Sequence, residues 1–106
     1  MNIQDEIKKQ VTGNQVVLYM KGSPDFPQCG FSASAVQILR ACGVQDFFSV
    51  NILENPAIRQ GIKEYANWPT IPQLYVAGEF IGGSDIMREM FDDGSLQKLV
   101  TEKVTT

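Results

Sequence analysis

The sequence predicts an α/β fold: a small four-stranded mixed sheet flanked by helices on both faces. Three observations lead there. Short apolar, β-branched runs alternate with segments whose apolar residues recur at helical spacing. These segments follow the order helix, strand, helix, strand, helix, strand, strand, helix, helix. A strand–helix–strand unit requires parallel pairing, whereas the last two strands lie close enough for an antiparallel hairpin. With 106 residues, 43% of them hydrophobic and 20% charged, the chain is expected to form one domain, 1–106, around a modest core.

Each element has its own signal. Ile3, Ile7 and Val11 recur every fourth residue, so a first helix is expected over 2–12 and Gly13 stops it. Val16–Met20 is short, apolar and β-branched and reads as a buried strand. The loop 21–28 carries Pro24 and Pro27 and cannot be regular structure. Phe31, Ala35, Ile38, Leu39 and Cys42 then fall at helical spacing, closed by Gly43. Residues 47–51 are aromatic and β-branched, a second strand. Asn55-Pro56 suits a helix cap followed by proline at the first helical position, and Ile58, Ile62 and Tyr65 continue that helix on one face. Residues 73–76 and 79–81 form a hairpin around Ala77-Gly78, a pair that is not a strong turn signal. After Gly82-Gly83, Ser84 is expected to cap a helix carrying Ile86, Met90 and Phe91. Gly94-Ser95 separates it from a last helix with Leu96, Leu99 and Val100.

Composition excludes several functions. The net charge is −3 and no basic run could track a phosphate backbone, which argues against nucleic acid. No apolar stretch is long enough to cross a bilayer. The acidic, polar start, Met1 to Glu6, is unlike a targeting peptide, so a cytoplasmic location is expected. Two cysteines without a secretion signal suggest a reducing compartment. The absence of histidine removes every Cys-His or Ser-His catalytic arrangement.

The chemistry concentrates at Cys29-Gly30-Phe31-Ser32. Cysteine is often a small buried hydrophobe, but Cys29 stands at a loop-to-helix junction. Free amides, the helix dipole and nearby Lys21 favour its thiolate there, as nucleophile or as metal ligand. Ser32 holds the place a resolving thiol would take, so no disulfide can form within the motif. Cys42 ends the same helix. With a rise of roughly 1.5 Å per residue the two sulfurs stand on the order of 20 Å apart, far beyond disulfide reach, and Cys42 is assigned to core packing.

Four blocks carry a resemblance over nearly the whole chain: Lys21-Gly22-Ser23-Pro24, Pro27-Gln28-Cys29-Gly30-Phe31-Ser32, Trp68-Pro69-Thr70-Ile71-Pro72-Gln73 and Gly82-Gly83-Ser84-Asp85. In order and spacing they resemble the monothiol glutaredoxins of bacterial type. The resemblance implies a thioredoxin-like (glutaredoxin) fold with Pro72 in the cis form. The main chain of Ile71 would then pair with the backbone of bound glutathione. Lys21 and Arg59 would hold the glycine carboxylate, and Ser84 and Asp85 the γ-glutamyl end. Gly83, with Gly82, would allow close backbone approach. Many relatives carry cysteine where this chain has Ser84, so a resolving thiol is lacking there too. Trp68 is assigned to the core or its rim.

An iron–sulfur cluster usually takes four thiolates. One accessible cysteine leaves either no metal or a cluster bridging two subunits, with two copies of Cys29 and two glutathione thiolates as ligands. The resemblance implies the second: a homodimer around a [2Fe-2S] cluster, heterodimers with BolA-like proteins, and delivery of clusters to apo iron–sulfur proteins in iron homeostasis. Cys29 is then both the reactive residue and the metal ligand. Two alternatives stay open. The chain could reduce protein–glutathione mixed disulfides by a monothiol route, or serve as a non-catalytic adaptor that docks partners.

Overall fold

The computed structural model describes residues 2–103. Its elements are α1 (Ile3–Thr12), β1 (Val16–Met20), α2 (Gly30–Ala41), β2 (Phe48–Asn51), α3 (Pro56–Ala66), β3 (Gln73–Val76), β4 (Glu79–Gly82), α4 (Ser84–Asp92) and α5 (Ser95–Lys103), in the expected order. The strands form one sheet in the order β2-β1-β3-β4. β1 pairs with β2 in parallel, Val17 opposite Phe48, and with β3 antiparallel, Val17 opposite Tyr75. β3 and β4 complete the antiparallel edge, with a register shift between Leu74 and Tyr75.

A central strand buried on both faces reads as a continuous apolar run, because successive side chains point to opposite sides. β1 shows this directly. Val16, Leu18 and Met20 pack on one face with Leu74, Val76 and residues of α2, α4 and α5. Val17 and Tyr19 pack on the other with Tyr75, Ile7, Val11, Ile58 and Ile62, from α1 and α3. Helices therefore cover both faces of the sheet. Gly61 brings α1 and α3 close: a side chain there would meet Ile7 at 3.0 Å and Ile3 at 3.2 Å. No described helix is long and apolar enough to cross a membrane.

Caps decide the helix starts: that of α1 differs from expectation and that of α3 is as expected. Asn2 lies outside α1 and caps it, its side chain accepting from the Asp5 amide at 2.9 Å. Asn55 caps α3 the same way through Ile58 N at 3.1 Å, with Pro56 behind it. The Ala77-Gly78 turn is tight even though its pair is a weak signal. Both residues take positive φ, 52° and 82°, the combination that matches the twist of the flanking strands. Ala77 N–H donates to Gln15 O at 2.8 Å and ties the turn to the start of β1.

One expectation is overturned. Ser84 does not cap α4; it is the first helical residue, and Gly83 stands at the cap with no side-chain hydrogen bond. The reason lies in the glycine pair. Gly82 has φ 152°, and a Cβ on it would sit 2.7 Å from Ile86 Cβ. A Cβ on Gly83 would press on Pro72 O at 3.2 Å and Trp68 Nε1 at 3.3 Å. Close approach to these neighbours brings the chain into the helix one residue early. The first-turn amides of α4 are left without a capping side chain.

Candidate functional site

Cys29 is the N-cap of α2. Its extended backbone, φ −154° and ψ 157°, lets the side chain turn back over the first turn of the helix. Its Sγ accepts from Ser32 N at 3.3 Å and lies 3.3 Å from Ser32 Oγ. Ser32 is fully buried, and its Oγ accepts from Lys21 N at 3.0 Å. The Ser32 hydroxyl hydrogen is thus available to the sulfur, a geometry that suits a thiolate better than a thiol. Burial alone pushes the Cys29 thiol up. The Ser32 hydroxyl, the amides of Ser32 and Phe31 and the charge of Lys21 outweigh it, and the net shift is downward.

Cys42 has the opposite environment. It is buried at the far end of α2, and burial pushes its thiol up. Both cysteines are free. The assignment of Cys42 to core packing holds, since it belongs to the cluster on the α2 face of the sheet.

These environments predict the pattern of alkylation. Native protein treated with iodoacetamide should be modified at Cys29 and spared at Cys42, as read by peptide mass spectrometry. The Cys29 rate should reach its plateau below the pH at which an ordinary thiol titrates. Ser32→Ala removes the hydroxyl donor and should move that midpoint upward; an unmoved midpoint would show that the hydroxyl does not stabilise the thiolate.

Beside Cys29 lies a cleft of about 380 Å³. Of the residues assigned to ligand binding, Lys21, Arg59, Ile71, Ser84 and Asp85 line it. Elements distant in sequence bring them together: the loop after β1, α3, the segment before β3, and the first turn of α4. Gly83 does not line the cleft. It is buried behind it, where its missing side chain admits Pro72 and Trp68. Cys29 is not part of the wall either, although Lys21 and Phe31 are. The Ile71–Pro72 peptide is cis, as the resemblance implied. Trp68 is a rim residue, packed against Phe80 with ring centroids 5.6 Å apart and planes inclined at 55°.

Three functional candidates escaped the sequence reading. Lys63 also lines the cleft; it stands one helical turn after Arg59, a spacing that could have revealed it. Ser32 had looked like an ordinary first-turn residue, and nothing in sequence shows that its hydroxyl meets both Lys21 N and the thiol. Asn51 Oδ1 accepts from Gly22 N and Leu53 N, both at 3.0 Å, and so fastens the loop before Cys29 to the end of β2.

Electrostatically the cleft is unbalanced. Three cations, Lys21, Arg59 and Lys63, share it with one carboxylate, Asp85. Among the described residues the ion pair formed is Arg40–Asp25, which leaves all three cations without a carboxylate partner. The open amides at the start of α4 add to the same field. An elongated anion with a second, cationic end fits this arrangement, its carboxylates on the cations and helix amides and its ammonium on Asp85. Two exposed aromatic side chains, Phe31 at 64% and Phe26 at 74% accessible, stand within three residues of Cys29 in the sequence.

Comparison with known proteins gives concordant results. A model of the glutaredoxin family matches residues 16–81. Glutaredoxin 4 of Buchnera aphidicola is 55% identical over 100 residues, 94% of this chain and 92% of its own. The chloroplastic monothiol glutaredoxin-S14 of Arabidopsis thaliana is 56% identical over 98 residues, 92% of this chain and 56% of its own. The solution structure of reduced poplar apo GrxS14 superposes with a TM-score of 0.84 at 52% identity, covering 98% of this chain and 94% of that one.

Proposed function

The chain belongs to the glutaredoxin family, and from that premise we propose that it binds glutathione in the cleft and carries a [2Fe-2S] cluster as cargo between scaffold and recipient proteins. The observation that carries this reading is the one thiol with a lowered pKa, Cys29 at the start of α2, beside a cation-lined cleft and with Ser32 where a partner thiol would stand. Lys21, Arg59 and Lys63 are available to the carboxylates of glutathione, the Ile71 main chain to its backbone, and Ser84 and Asp85 to its γ-glutamyl end. The ligand's own thiol is then directed toward Cys29.

Within one subunit no group of three or more His, Cys, Asp or Glu among the described residues is placed to hold a metal. A four-thiolate cluster therefore draws on two subunits, each supplying Cys29 and one glutathione. Such a site is labile by construction, because half of its ligands are diffusible. That suits transfer to apo iron–sulfur proteins. A BolA-like partner would replace one copy of the chain in the heterodimer.

The experiment is anaerobic reconstitution with iron, sulfide and glutathione. The expected product is a coloured dimer with one glutathione per subunit, and a colourless monomer when glutathione is left out. A chromophore that forms equally well without glutathione would overturn the reading.

The stabilised thiolate also favours a second activity. Cys29 would attack the glutathione sulfur of a protein–glutathione disulfide and expel the protein thiolate. A second glutathione thiolate would then attack that same sulfur, releasing glutathione disulfide and restoring Cys29. Turnover of a glutathionylated peptide at rates like those of dithiol glutaredoxins would make this the principal function instead.

A further inference from the structure

We infer that Gln73 is a positioning residue of the cleft, its buried amide holding the Trp68–Thr70 carbonyls so that the Ile71 main chain stays open to a ligand. Gln73 is fully buried and opens β3, a strand whose four residues are all buried. It stands two residues before Tyr75, on the sheet face packed by Tyr19, Ile58 and Ile62. By strand alternation an apolar side chain belongs there. An amide at such a position is costly unless its groups are matched.

They are matched, and by the cleft's own loop. Gln73 Nε2 donates to Trp68 O at 3.1 Å and to Thr70 O at 3.3 Å. Its Oε1 accepts from Tyr75 Oη at 3.1 Å, which fixes the end of the amide that faces the loop. Burial pushes the Tyr75 hydroxyl well up, with a smaller contribution from Tyr65, so it stays protonated and remains a donor.

The loop has few other constraints. Pro69 and Pro72 have no N–H to donate. Trp68 N–H reaches back to Lys63 O at 3.0 Å, while Ile71 makes no backbone hydrogen bond outside the helices and strands. Between the end of α3 and the start of β3, two carbonyls, those of Trp68 and Thr70, are held by this one side chain. With Trp68 O and Thr70 O drawn inward to Gln73, the intervening segment presents Pro69, Thr70 and Ile71 to the cleft. Loss of the amide leaves two inward carbonyls unpaired, and the loop must turn to find water.

This inference rests on the cleft being a glutathione site, but its test has a readout that does not. Trp68 is the one tryptophan of the chain, so intrinsic fluorescence reports on this loop. Full-length wild type and Gln73→Met, of similar length but without polar groups, would be compared by calorimetric titration with glutathione, Trp68 emission and the rate of Cys29 alkylation. The expected result is a tenfold or greater loss of glutathione affinity and a red-shifted Trp68 emission, with the Cys29 rate unchanged within twofold. Affinity and emission both like wild type would overturn the inference. So would a Cys29 rate that falls in step with affinity, which marks general loosening.

If Gln73→Met does not fold, Tyr75→Phe deletes only the hydroxyl that orients the amide. It should give the same pattern at about a threefold loss, and wild-type values there would equally overturn the inference. If wild type itself binds no glutathione, the proposed function fails. Trp68 emission then decides alone: a shift upholds the positioning role, and an unshifted spectrum overturns it.

Discussion

Cys29→Ser is expected to abolish the cluster-bearing form while leaving the fold intact. Serine is among the preferred N-cap residues, and its Oγ can accept from Ser32 N as the sulfur does. The helix should lose nothing by the change. What disappears is ionisable sulfur, and with it the ligand and the nucleophile together. Reconstitution should give background colour only, at least about tenfold below wild type, and mixed-disulfide turnover should vanish. Thermal unfolding should stay within a few degrees.

The same variant carries a pH signature. In the folded chain the Cys29 thiol sits below its ordinary value, so the unfolded chain binds more protons across that interval. Stability therefore rises with pH there, and the gain is lost as pH falls through the folded value. Cys29→Ser should flatten this stretch of the profile, as followed by urea midpoints at stepped pH. A cluster retained by Cys29→Ser would remove Cys29 as ligand and the carrier hypothesis with it.

Leu39→Ala should be the most damaging change to the fold. Leu39 is fully buried and packs in the cluster that joins α2 to the sheet and to Met87, Leu96 and Val100. Truncating a buried leucine removes its transfer free energy and leaves a cavity, typically about 2–5 kcal/mol. Against a total of roughly 5–15 kcal/mol this is a large share. The thermal midpoint should fall by roughly 10–20 °C for a loss of about 3 kcal/mol in a domain of this size. Because α2 carries Cys29 at its start, alkylation of the normally protected Cys42 should rise as the helix loosens. A midpoint shift of less than about 4 °C, the equivalent of 1 kcal/mol, would mean that the cluster closes over the gap.

Much of this was legible without coordinates. Element order followed from periodicity, because a strand buried on both faces and an amphipathic helix leave different repeats in the chain. Cys29 at a helix start, the N-terminal cap of α3, and the single-thiol motif followed from local rules that act within a few residues. The cap of α4 did not. Ser84 is a good cap residue, but the glycine pair before it allows an approach to Pro72, Trp68 and Ile86 that local preference cannot anticipate.

What the chain determined by itself is therefore what neighbouring residues can settle: which segments coil, which extend, and where a sulfur acquires a helix terminus. Only the tertiary structure decided which side chains meet. Lys63 joined Lys21 and Arg59 in one cleft, Ser32 joined the Lys21 amide to the thiol, and Gln73 reached the loop above it. The physical reason is range. Hydrogen-bond satisfaction of buried polar groups and the summed field of separated charges depend on distances in space, and sheet pairing and helix packing set those distances.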